Sequence, residues 1–369
     1  MFFHQYLLAI KLFQPSINHL EKNAIVKVLK SKFWASGSGI GNVRKFEKKF
    51  QKFINSDTCI SVNSGTAALN LALSLCEIKN KEVILPSLGF VSSANAVLLN
   101  GGIPVFVDID PKTLCIGPNE IESAITKKTK VVLPVHFGGF PCKLDIIQKL
   151  CRRNNLFLVE DAAHAVGSTF NKTQIGSHGD AVCFSFHPVK NLAMPTGGLI
   201  SINNKNHIIF RKKLLSRRWC GITERKSTSY DVKEVGNNYY MNEFSAAIGL
   251  AQLSKLKKMI PKRKIIAKKY FNELELEDKM PFSTNCSYHL YWISVKNRDK
   301  FRKILTSKGI ESGTHYRPIH SFSLYHKNCS LPNTEKIGRQ IVTIPIYPDL
   351  TNYEIDKIIN TINKINSKF

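Results

Sequence analysis

Long apolar runs are missing from this 369-residue chain. The longest, such as residues 181–186, have the length of a strand, so the sequence predicts no transmembrane helix. The apolar start of the chain has neither a basic region nor a small-residue cleavage site, which disfavours a signal peptide. We therefore expect residues 1–14 to form an N-terminal arm that packs on the body of the protein.

Closely spaced cysteine pairs are missing as well. The nine cysteines are odd in number, and no two form a C-x-x-C pair. Neither a disulfide framework nor a metal site is therefore expected. The apolar surroundings of Cys59, Cys76, Cys115 and Cys183 are typical of buried free thiols. This cysteine usage indicates a reducing, cytoplasmic location.

Acidic residues are scarce beside basic ones, at 27 against 53, which gives a net charge of +26. Such an excess can indicate nucleic-acid binding. However, the basic residues are scattered over the polar faces of predicted helices, without zinc-finger spacing, an RNP-like motif or a clear helix-turn-helix. We interpret the excess as a solvated, Lys-rich surface, which would also attract an anionic diphosphate substrate.

The length of the chain favours two domains. We predict a large domain over residues 15–250 and a smaller C-terminal α+β domain over residues 251–369. From about residue 58 to 203, short apolar runs bounded by Gly, Pro or Asn alternate with helical patterns, which predicts an α/β fold with a mostly parallel sheet covered by helices. The predicted strands are residues 83–85, 105–109, 130–135, 157–160, 181–186 and 199–202.

Helical periodicity precedes, interrupts and follows these strands. Pro261 is expected to kink or end the helix that begins at Glu243. In the C-terminal part, residues 289–295 are predicted to form a strand. The predicted helices are residues 46–54, 121–125, 144–151, 243–256, 265–274 and 300–308.

Three short motifs carry residues suited to chemistry. Ser64-Gly65-Thr66 opens a helical run, where free N–H groups and the positive helix end could hold a phosphate, although a Ser before a helix is also a common N-cap. Asp161, in Glu160–His164, ends an apolar strand, the position where open α/β sheets bind ligands. By itself that carboxylate could equally cap a loop.

The third motif is Ser185–Asn191, which follows a strand and contains Lys190. A desolvated lysine at a strand end can serve as an amine nucleophile, although a surface lysine in a loop is the simpler interpretation when the motif is taken alone. Together, a phosphate cradle, a strand-end aspartate and a strand-end lysine on one parallel sheet are the set that a pyridoxal phosphate site needs.

At this point the chain resembles the DegT/DnrJ/EryC1/StrS family of sugar aminotransferases, within the aspartate-aminotransferase-like fold type I of pyridoxal phosphate (PLP) enzymes. The resemblance extends from about Pro15 to about Ile365. Its matching segments are S-G-T-A-A-L at 64–69, V-I-L-P-S-L-G-F at 83–90, P-V-F-V-D-I-D at 104–110, V-H-F-G-G-F-P at 135–141, E-D-A-A-H at 160–164, F-S-F-H-P-V-K-N-L at 184–192, G-N-N-Y-Y-M-N-E-F-S-A-A-I at 236–248 and T-H-Y-R-P-I-H at 314–320.

The resemblance implies a role for each matching residue. Lys190 would form the Schiff base with the cofactor aldehyde and later move the proton. Asp161 would pair with the pyridinium nitrogen, Phe90 would stack on the ring, and His164 would lie near the phenolic oxygen. The implied phosphate contacts are Ser64, Gly65, Thr66 and Ser185.

The resemblance also implies a homodimer, because Asn238 matches an asparagine that reaches the cofactor phosphate of the neighbouring subunit. Three positions depart from the family pattern: Thr196 stands where an acidic residue is common, Tyr240 where Arg is common, and Gly89 where Thr is common. The first two could change the substrate. The residues in segments that line the sugar pocket in relatives are Trp34, His187, His315, Tyr316 and His320.

The implied reaction is a ping-pong transfer of an amino group, with L-glutamate as the expected donor and a nucleotide-linked keto-sugar as the expected acceptor. Three alternatives remain. Aminotransfer to a keto-cyclitol, which makes an aminocyclitol, or to another ketone would use the same site. A sugar dehydratase of the same family would carry His in place of Lys190. A regulatory or nucleic-acid-binding protein on a degenerate aminotransferase fold would account for the charge.

Overall fold

The computed structural model describes residues 9–325 and 329–367. The helices are α1 (His19–Ser31), α2 (Asn42–Ile54), α3 (Gly65–Ser74), α4 (Ser92–Leu99), α5 (Pro118–Ala124), α6 (Leu144–Arg153), α7 (His207–Arg218), α8 (Glu243–Glu273), α9 (Arg298–Ser307), α10 (Pro332–Gln340) and α11 (Asn352–Asn366). The strands are β1 (Thr58–Val62), β2 (Glu82–Pro86), β3 (Ile103–Val107), β4 (Thr129–Val132), β5 (Phe157–Asp161), β6 (Thr169–Phe170), β7 (Thr173–Gln174), β8 (Ala181–Ser185), β9 (Gly198–Ile202), β10 (Ile222–Lys226), β11 (Ser229–Val232), β12 (Tyr291–Ser294) and β13 (Ile341–Ile344). Within these two described ranges, no helix is long and apolar enough to span a membrane.

A seven-stranded sheet with the order β1-β9-β8-β5-β4-β2-β3 forms the centre of the protein. Strands β8, β5, β4, β2 and β3 are parallel, and β9 is antiparallel to both of its neighbours. Its strands are almost wholly buried, as expected for apolar runs covered by helices on both faces. All six predicted strands lie in this sheet, which confirms the α/β fold class. Strand β1 was not predicted.

The register of the sheet brings the ends of three strands to one edge. Val62 of β1 and Ser185 of β8 both pair with Gly198 of β9, which lies between them. On the other side of β8, Asp161 at the end of β5 pairs with Cys183. Because β1, β8 and β5 run in the same direction, the segments that follow them leave the sheet at the same edge.

A buried ion pair fixes strand β1 against the helices. Glu47 Oε1 accepts hydrogen bonds from the backbone N–H and the hydroxyl of Ser61, both at 2.8 Å, and from Arg218 Nη1 at 3.0 Å. Burial lowers the pKa of Arg218, and the Glu47 carboxylate opposes that shift. A buried charge needs such partners, and here they tie α2, β1 and α7 together beside the loop that carries Ser64.

Helix α8 is continuous from Glu243 to Glu273, so Pro261 does not end it, and the other predicted outcome, a kink at Pro261, stays a prediction. A proline inside a helix lacks the N–H that would bond to the carbonyl four residues earlier, here that of Lys257. Pro261 and Lys257 are both exposed, so water can hydrate that carbonyl. The predicted helices 243–256 and 265–274 are therefore one element, and the predicted boundary near residue 250 falls inside it.

The C-terminal part is a smaller α+β unit. Strands β12 and β13 pair in antiparallel fashion, and α9 and α11 contact each other beside them. The predicted strand 289–295 and helix 300–308 correspond to β12 and α9. The chain before α1 lies against this unit, since the Ile10 N–H donates to the Gly309 carbonyl at 2.8 Å and the Glu311 N–H donates to the Ile10 carbonyl at 3.0 Å. Residues 1–8 of the predicted arm lie outside the described residues.

Candidate active site

A cavity of about 510 Å³ lies at the edge of the sheet where β1, β5 and β8 end. It brings together segments that are far apart in sequence, from the arm to the C-terminal unit. The predicted site residues that line it are Ser64, Gly65, Thr66, Phe90, Asp161, His164, Ser185, His187, Lys190, His315 and Tyr316.

The start of helix α3 forms one end of the cavity. Ser64 is its N-cap, and the hydroxyl accepts a hydrogen bond from the Ala67 N–H at 3.1 Å. The first N–H groups of the helix, those of Gly65 and Thr66, have no partner within the helix and favour an anion. A Cβ on Gly65 would lie 2.7 Å from the Cβ of Ser185. Only a glycine therefore lets the helix approach Ser185 so closely.

Asp161 contributes a buried carboxylate to the cavity wall. Its Oδ2 accepts a hydrogen bond from the Ser93 hydroxyl at 2.7 Å, and its Oδ1 accepts one from the Ala163 N–H at 3.1 Å. These two bonds fix the orientation of the carboxylate. Ser93 was missed in the sequence, because a serine in the first turn of a helix is common and carries no further signal.

Lys190 points its amine into the same cavity. Its backbone N–H donates to the His187 carbonyl at 2.8 Å, which fixes a tight turn after β8. Burial of the amine lowers the pKa of Lys190 to about 8, against the opposing attraction of the Asp161 carboxylate. A substantial fraction of the side chain is then neutral near pH 7.5, and the neutral amine is the nucleophilic form.

His164 forms the side of the cavity next to Lys190. Its Nδ1 accepts a hydrogen bond from the Gly138 N–H at 3.3 Å, which assigns the proton to Nε2, 3.2 Å from the Tyr316 hydroxyl. Burial, followed by the charge of Lys190 and then His315, holds the pKa of His164 well below its ordinary value. This imidazole is therefore a neutral hydrogen-bond donor.

Phe90 lies at the mouth of the cavity and is 56% exposed, with its ring centroid 6.0 Å from that of Tyr316.

Three predicted site residues lie outside the cavity. Trp34 is exposed and packs on Phe244, with 5.7 Å between ring centroids. The Asn238 carbonyl accepts a hydrogen bond from Asn63 Nδ2 at 3.2 Å. His320 is buried, and its Nδ1 lies 2.6 Å from the Ser87 hydroxyl.

The departures from the family pattern lie in two different places. Thr196 lines the cavity, and its hydroxyl donates to the Asn63 carbonyl. Tyr240 lines a second cavity of about 520 Å³, together with Trp219 and Arg225, whose guanidinium lies 4.5 Å from the centroid of the Trp219 ring. Of Thr196 and Tyr240, therefore, only Thr196 lines the first cavity of its own chain.

Two further residues near the amine were missed in the sequence. Phe13 lines the cavity, and His289 Nε2 lies 3.4 Å from Lys190 Nζ. Phe13 falls in an apolar segment and His289 at the start of a predicted strand, so packing was the simplest explanation of both. No local pattern in the sequence links either of them to Lys190.

The fold and this cavity define an aminotransferase of the PLP-transferase fold, and solved structures agree. The aminotransferase TlmJ from Streptoalloteichus hindustanus has a TM-score of 0.91 and 27% identity, covering 97% of this chain and 99% of its own. PseC from Helicobacter pylori, an aminotransferase involved in pseudoaminic acid biosynthesis, has a TM-score of 0.90 and 27% identity, covering 98% and 100%.

The model of the DegT/DnrJ/EryC1/StrS aminotransferase family matches residues 15–363, and the chain belongs to this family. It is also 35% identical to the uncharacterized protein MJ1066 of Methanocaldococcus jannaschii, covering 96% of this chain and 97% of that one. Aminotransferases of this family use PLP, and the putative sugar aminotransferase Spr1654 from Streptococcus pneumoniae is known in PLP and pyridoxamine phosphate forms. The chain is therefore a PLP-dependent aminotransferase.

The cavity fits this cofactor. The free N–H groups at the start of α3 suit a phosphate. Ser185 lies so close to this helix start that position 65 has no room for a Cβ. The cavity also has a buried, oriented carboxylate in Asp161, which suits a protonated ring nitrogen, and an amine with a lowered pKa in Lys190, which suits an aldehyde. Each chemical group of PLP therefore has a partner of the right type.

Replacing Gly65 with alanine is expected to weaken cofactor binding by about tenfold or more, because the new methyl group would push Ser185 and the helix start apart. Gly89→Ala is the matched control, since a Cβ there meets its nearest neighbour, Val135, at an ordinary 3.8 Å. The measurement is the dissociation constant of PLP from fluorescence quenching. Equal affinities in the two variants would contradict the phosphate cradle.

Proposed function

We propose that this enzyme transfers the amino group of an amino acid, L-glutamate, to a keto-sugar carried on a nucleotide, by a ping-pong mechanism. The observation that carries the proposal is the meeting of Lys190, Asp161 and Ser64-Gly65-Thr66 in one cavity. The similarity over nearly the whole chain to Spr1654, a putative sugar aminotransferase, and to PseC, which is involved in pseudoaminic acid biosynthesis, supports a sugar as the acceptor.

Each end of the cofactor has its own proposed partners. The N–H groups of Gly65 and Thr66 and the hydroxyls of Ser64 and Ser185 would hold the phosphate. Asp161 would hold the ring nitrogen in its protonated state, with Ser93 and Ala163 keeping the carboxylate oriented. When bound, PLP supplies an aldehyde that joins to amines and a protonated ring that accepts electrons.

The sides of the cofactor ring also have proposed partners. Phe90, at the mouth, would cover one face of the ring. His164 would donate its Nε2 proton towards the phenolic oxygen, since its Nδ1 is already occupied by the Gly138 N–H. Tyr316, within hydrogen-bond reach of His164, would share that contact.

Lys190 would act as both general base and general acid. Its Nζ would take the proton from the reacting carbon of the amino donor and give a proton up again within the same half-reaction, and the second half-reaction would reverse this order. A pKa of about 8 suits both roles, because the amine and the ammonium form are then both populated near neutral pH.

The histidines that line the cavity are the proposed contacts of the sugar substrate. His187 and His315 line the wall beyond Lys190, and we propose that they and Tyr316 contact the sugar. Burial, followed by the charge of Lys190 and then Arg302, lowers the pKa of His315 to about 4, so it would meet the sugar as a neutral group. Trp34 and His320 stay predictions, since both lie outside this cavity.

A homodimer with shared active sites is part of the proposal. Asn238 lies outside the cavity of its own chain, so it would contact the cofactor phosphate of the partner subunit. A mixture of Lys190→Ala and Asn238→Ala chains should then regain activity through hybrid dimers, which keep one intact site. A monomer in sedimentation, or no recovery in the mixture, would contradict this arrangement.

The reducing cytoplasm remains the proposed location. It is supported by Cys59, Cys76, Cys115 and Cys183, which are buried free thiols. Burial raises the pKa of Cys76 to about 12, so its thiol stays protonated and unreactive.

The test of the acceptor is a panel of nucleotide-linked 3-keto- and 4-keto-6-deoxysugars with L-glutamate as donor. At least one sugar should yield 2-oxoglutarate and an amino-sugar of the expected mass, and Lys190→Ala should yield neither. Keto-cyclitols in the same panel give the contrasting outcome. If a cyclitol is aminated and no nucleotide-linked sugar is, the proposed acceptor is wrong, although the aminotransferase chemistry stands.

A further inference from the structure

His289, outside the motifs described above, lies within hydrogen-bond distance of the amine of Lys190. Its Nε2 lies 3.4 Å from Lys190 Nζ, and the residue is 1% exposed. The backbone of His289 is fixed just before β12, where its N–H donates to the Gly138 carbonyl at 2.9 Å. This bond ties the start of the C-terminal unit to the loop after β4, so His289 is fixed where it faces the amine in the turn after β8.

Aromatic rings hold His289 on two sides. Phe13 stacks on it with 5.4 Å between ring centroids and 11° between the planes, and the ring of His164 lies 4.4 Å away. Phe13 also packs edge-on against His315, at 5.7 Å. The histidine is therefore fixed in orientation and shielded from water by the segment that precedes α1.

The charged and titratable groups around His289 favour its neutral form. Burial, followed by the charges of Lys190, His164, Arg263 and His315, holds the pKa of His289 well below its ordinary value. The Arg263 guanidinium donates to the backbone carbonyls at Tyr288 and Ile346, which keeps this cation on the far side of the backbone. A neutral imidazole presents one donor and one acceptor nitrogen.

The two ring nitrogens of His289 differ in their surroundings. Nε2 faces Lys190, whereas Nδ1 has no hydrogen-bond partner among the residues that the structure describes. An ammonium group has three donors and no acceptor, so a charged Lys190 requires Nε2 to be the acceptor. A neutral amine has a lone pair and could instead accept from Nε2–H. One ring can therefore serve either protonation state of the lysine.

We propose that His289 is a positioning residue for Lys190, holding its free amine at the cavity wall by a hydrogen bond between Nε2 and Nζ. The inference rests on the proposed role of Lys190 as the proton carrier. The bond matters in the states in which the amine is free, since those are the states in which Lys190 moves protons. Phe13 covers one face of the His289 ring, which keeps the acceptor side of the pair buried.

The proposal predicts different results for substitutions of His289 that remove the hydrogen-bond acceptor and for those that keep it. His289→Phe keeps a flat buried ring but removes the acceptor. His289→Gln places a polar amide near the position of Nε2 and can accept from Nζ. Hydrogen bonds to a charged donor are stronger than those to a neutral one, so loss of the acceptor destabilises the ammonium more than the amine. The pKa of Lys190 should then fall below about 8 in His289→Phe and stay near it in His289→Gln.

The experiment uses the full chain freed of cofactor and measures how fast PLP joins to Lys190, followed by visible absorption over a range of pH. Uptake should accelerate as the pH rises through the pKa of the amine, with a midpoint near 8 in the wild type. His289→Phe should move the midpoint to lower pH by about one unit and lower the plateau rate, and His289→Gln should restore both. His178→Phe, at a half-buried histidine outside the cavity, is the matched control and should behave as the wild type.

Thermal unfolding of each variant identifies any that are misfolded. If His289→Phe is misfolded, His289→Leu, which is also apolar and lacks the acceptor, takes its place and is expected to show the same shift. An unchanged midpoint in His289→Phe, or a midpoint in His289→Gln displaced as far as that of His289→Phe, would overturn the proposal. A Lys190→Ala variant that shows the same absorption change would overturn it too. The assay contains neither donor nor acceptor, so failure to aminate any sugar refutes the proposed substrate and leaves this result intact.

Discussion

Lys190→Ala is expected to lower kcat for amino transfer by about 10⁴-fold or more, the largest effect of any single substitution in this protein. Lys190 is the one lysine among the described residues that line the cavity. Without its amine, PLP has no side chain to join to, and neither half-reaction has a proton carrier. The measurement is the rate at which L-glutamate changes the absorption of the bound cofactor, in a single turnover.

The control variants distinguish loss of the positive charge at residue 190 from loss of its nucleophilic amine. Lys190→Arg keeps a cation but cannot supply a neutral amine at any ordinary pH, so it should be as inactive as Lys190→Ala. Lys205→Ala removes an exposed lysine outside the cavity and should leave the rate unchanged. A Lys190→Ala enzyme within tenfold of the wild type would show that another group carries the proton.

Asp161→Asn is expected to lower kcat by about 10²–10³-fold, the second largest effect. The substitution keeps the size of the side chain but removes the negative charge. Its oxygen can still accept from the Ala163 N–H, and its NH2 group can donate to the Ser93 hydroxyl, which reverses the direction of that hydrogen bond. Removing one partner of a buried charge pair costs about 3–5 kcal/mol, which corresponds to that change in rate if it falls on the transition state. The physical reason is that an unprotonated ring nitrogen accepts electrons poorly.

A second measurement on Asp161→Asn needs no substrate. The Asp161 carboxylate raises the pKa of Lys190 against the effect of burial, so its loss should move the midpoint of cofactor uptake to lower pH. Asp145→Asn, at an exposed position in the first turn of α6, is the matched control for loss of one charge. Full activity in Asp161→Asn would mean that the ring nitrogen does not face this residue.

Much of the architecture could be predicted from local patterns. Apolar runs of strand length, bounded by Gly, Pro or Asn, identified six of the seven strands of the central sheet. Strand β1, with the sequence T-C-I-S-V, was missed because Cys and Ser interrupt a run of only five residues. Of the two predicted effects of Pro261, a kink or an end of the helix, the continuous helix α8 excludes the end. Pro261 lies at an exposed position, where one missing helix hydrogen bond is tolerated.

The cavity itself was only partly predictable. Three motifs could be brought together because the carboxyl ends of parallel strands meet at one edge. Their spacing depends on Gly198, which lies between Val62 and Ser185 in the register of β9 with its two neighbours. An antiparallel strand inserted into a parallel sheet has no signature in its own residues, so this arrangement was not foreseen.

The sequence by itself determined the order of six of the seven strands of the central sheet, the residue types at the strand ends and, through its motifs, the family. Only the tertiary structure decided that Phe13 and His289 lie beside Lys190 and that Ser93 holds Asp161. The physical reason is that periodicity is a local property of the chain, whereas contact and burial arise from distant segments. The lowered pKa of Lys190 is one such consequence, since it is set by how completely the folded protein removes water from one amine.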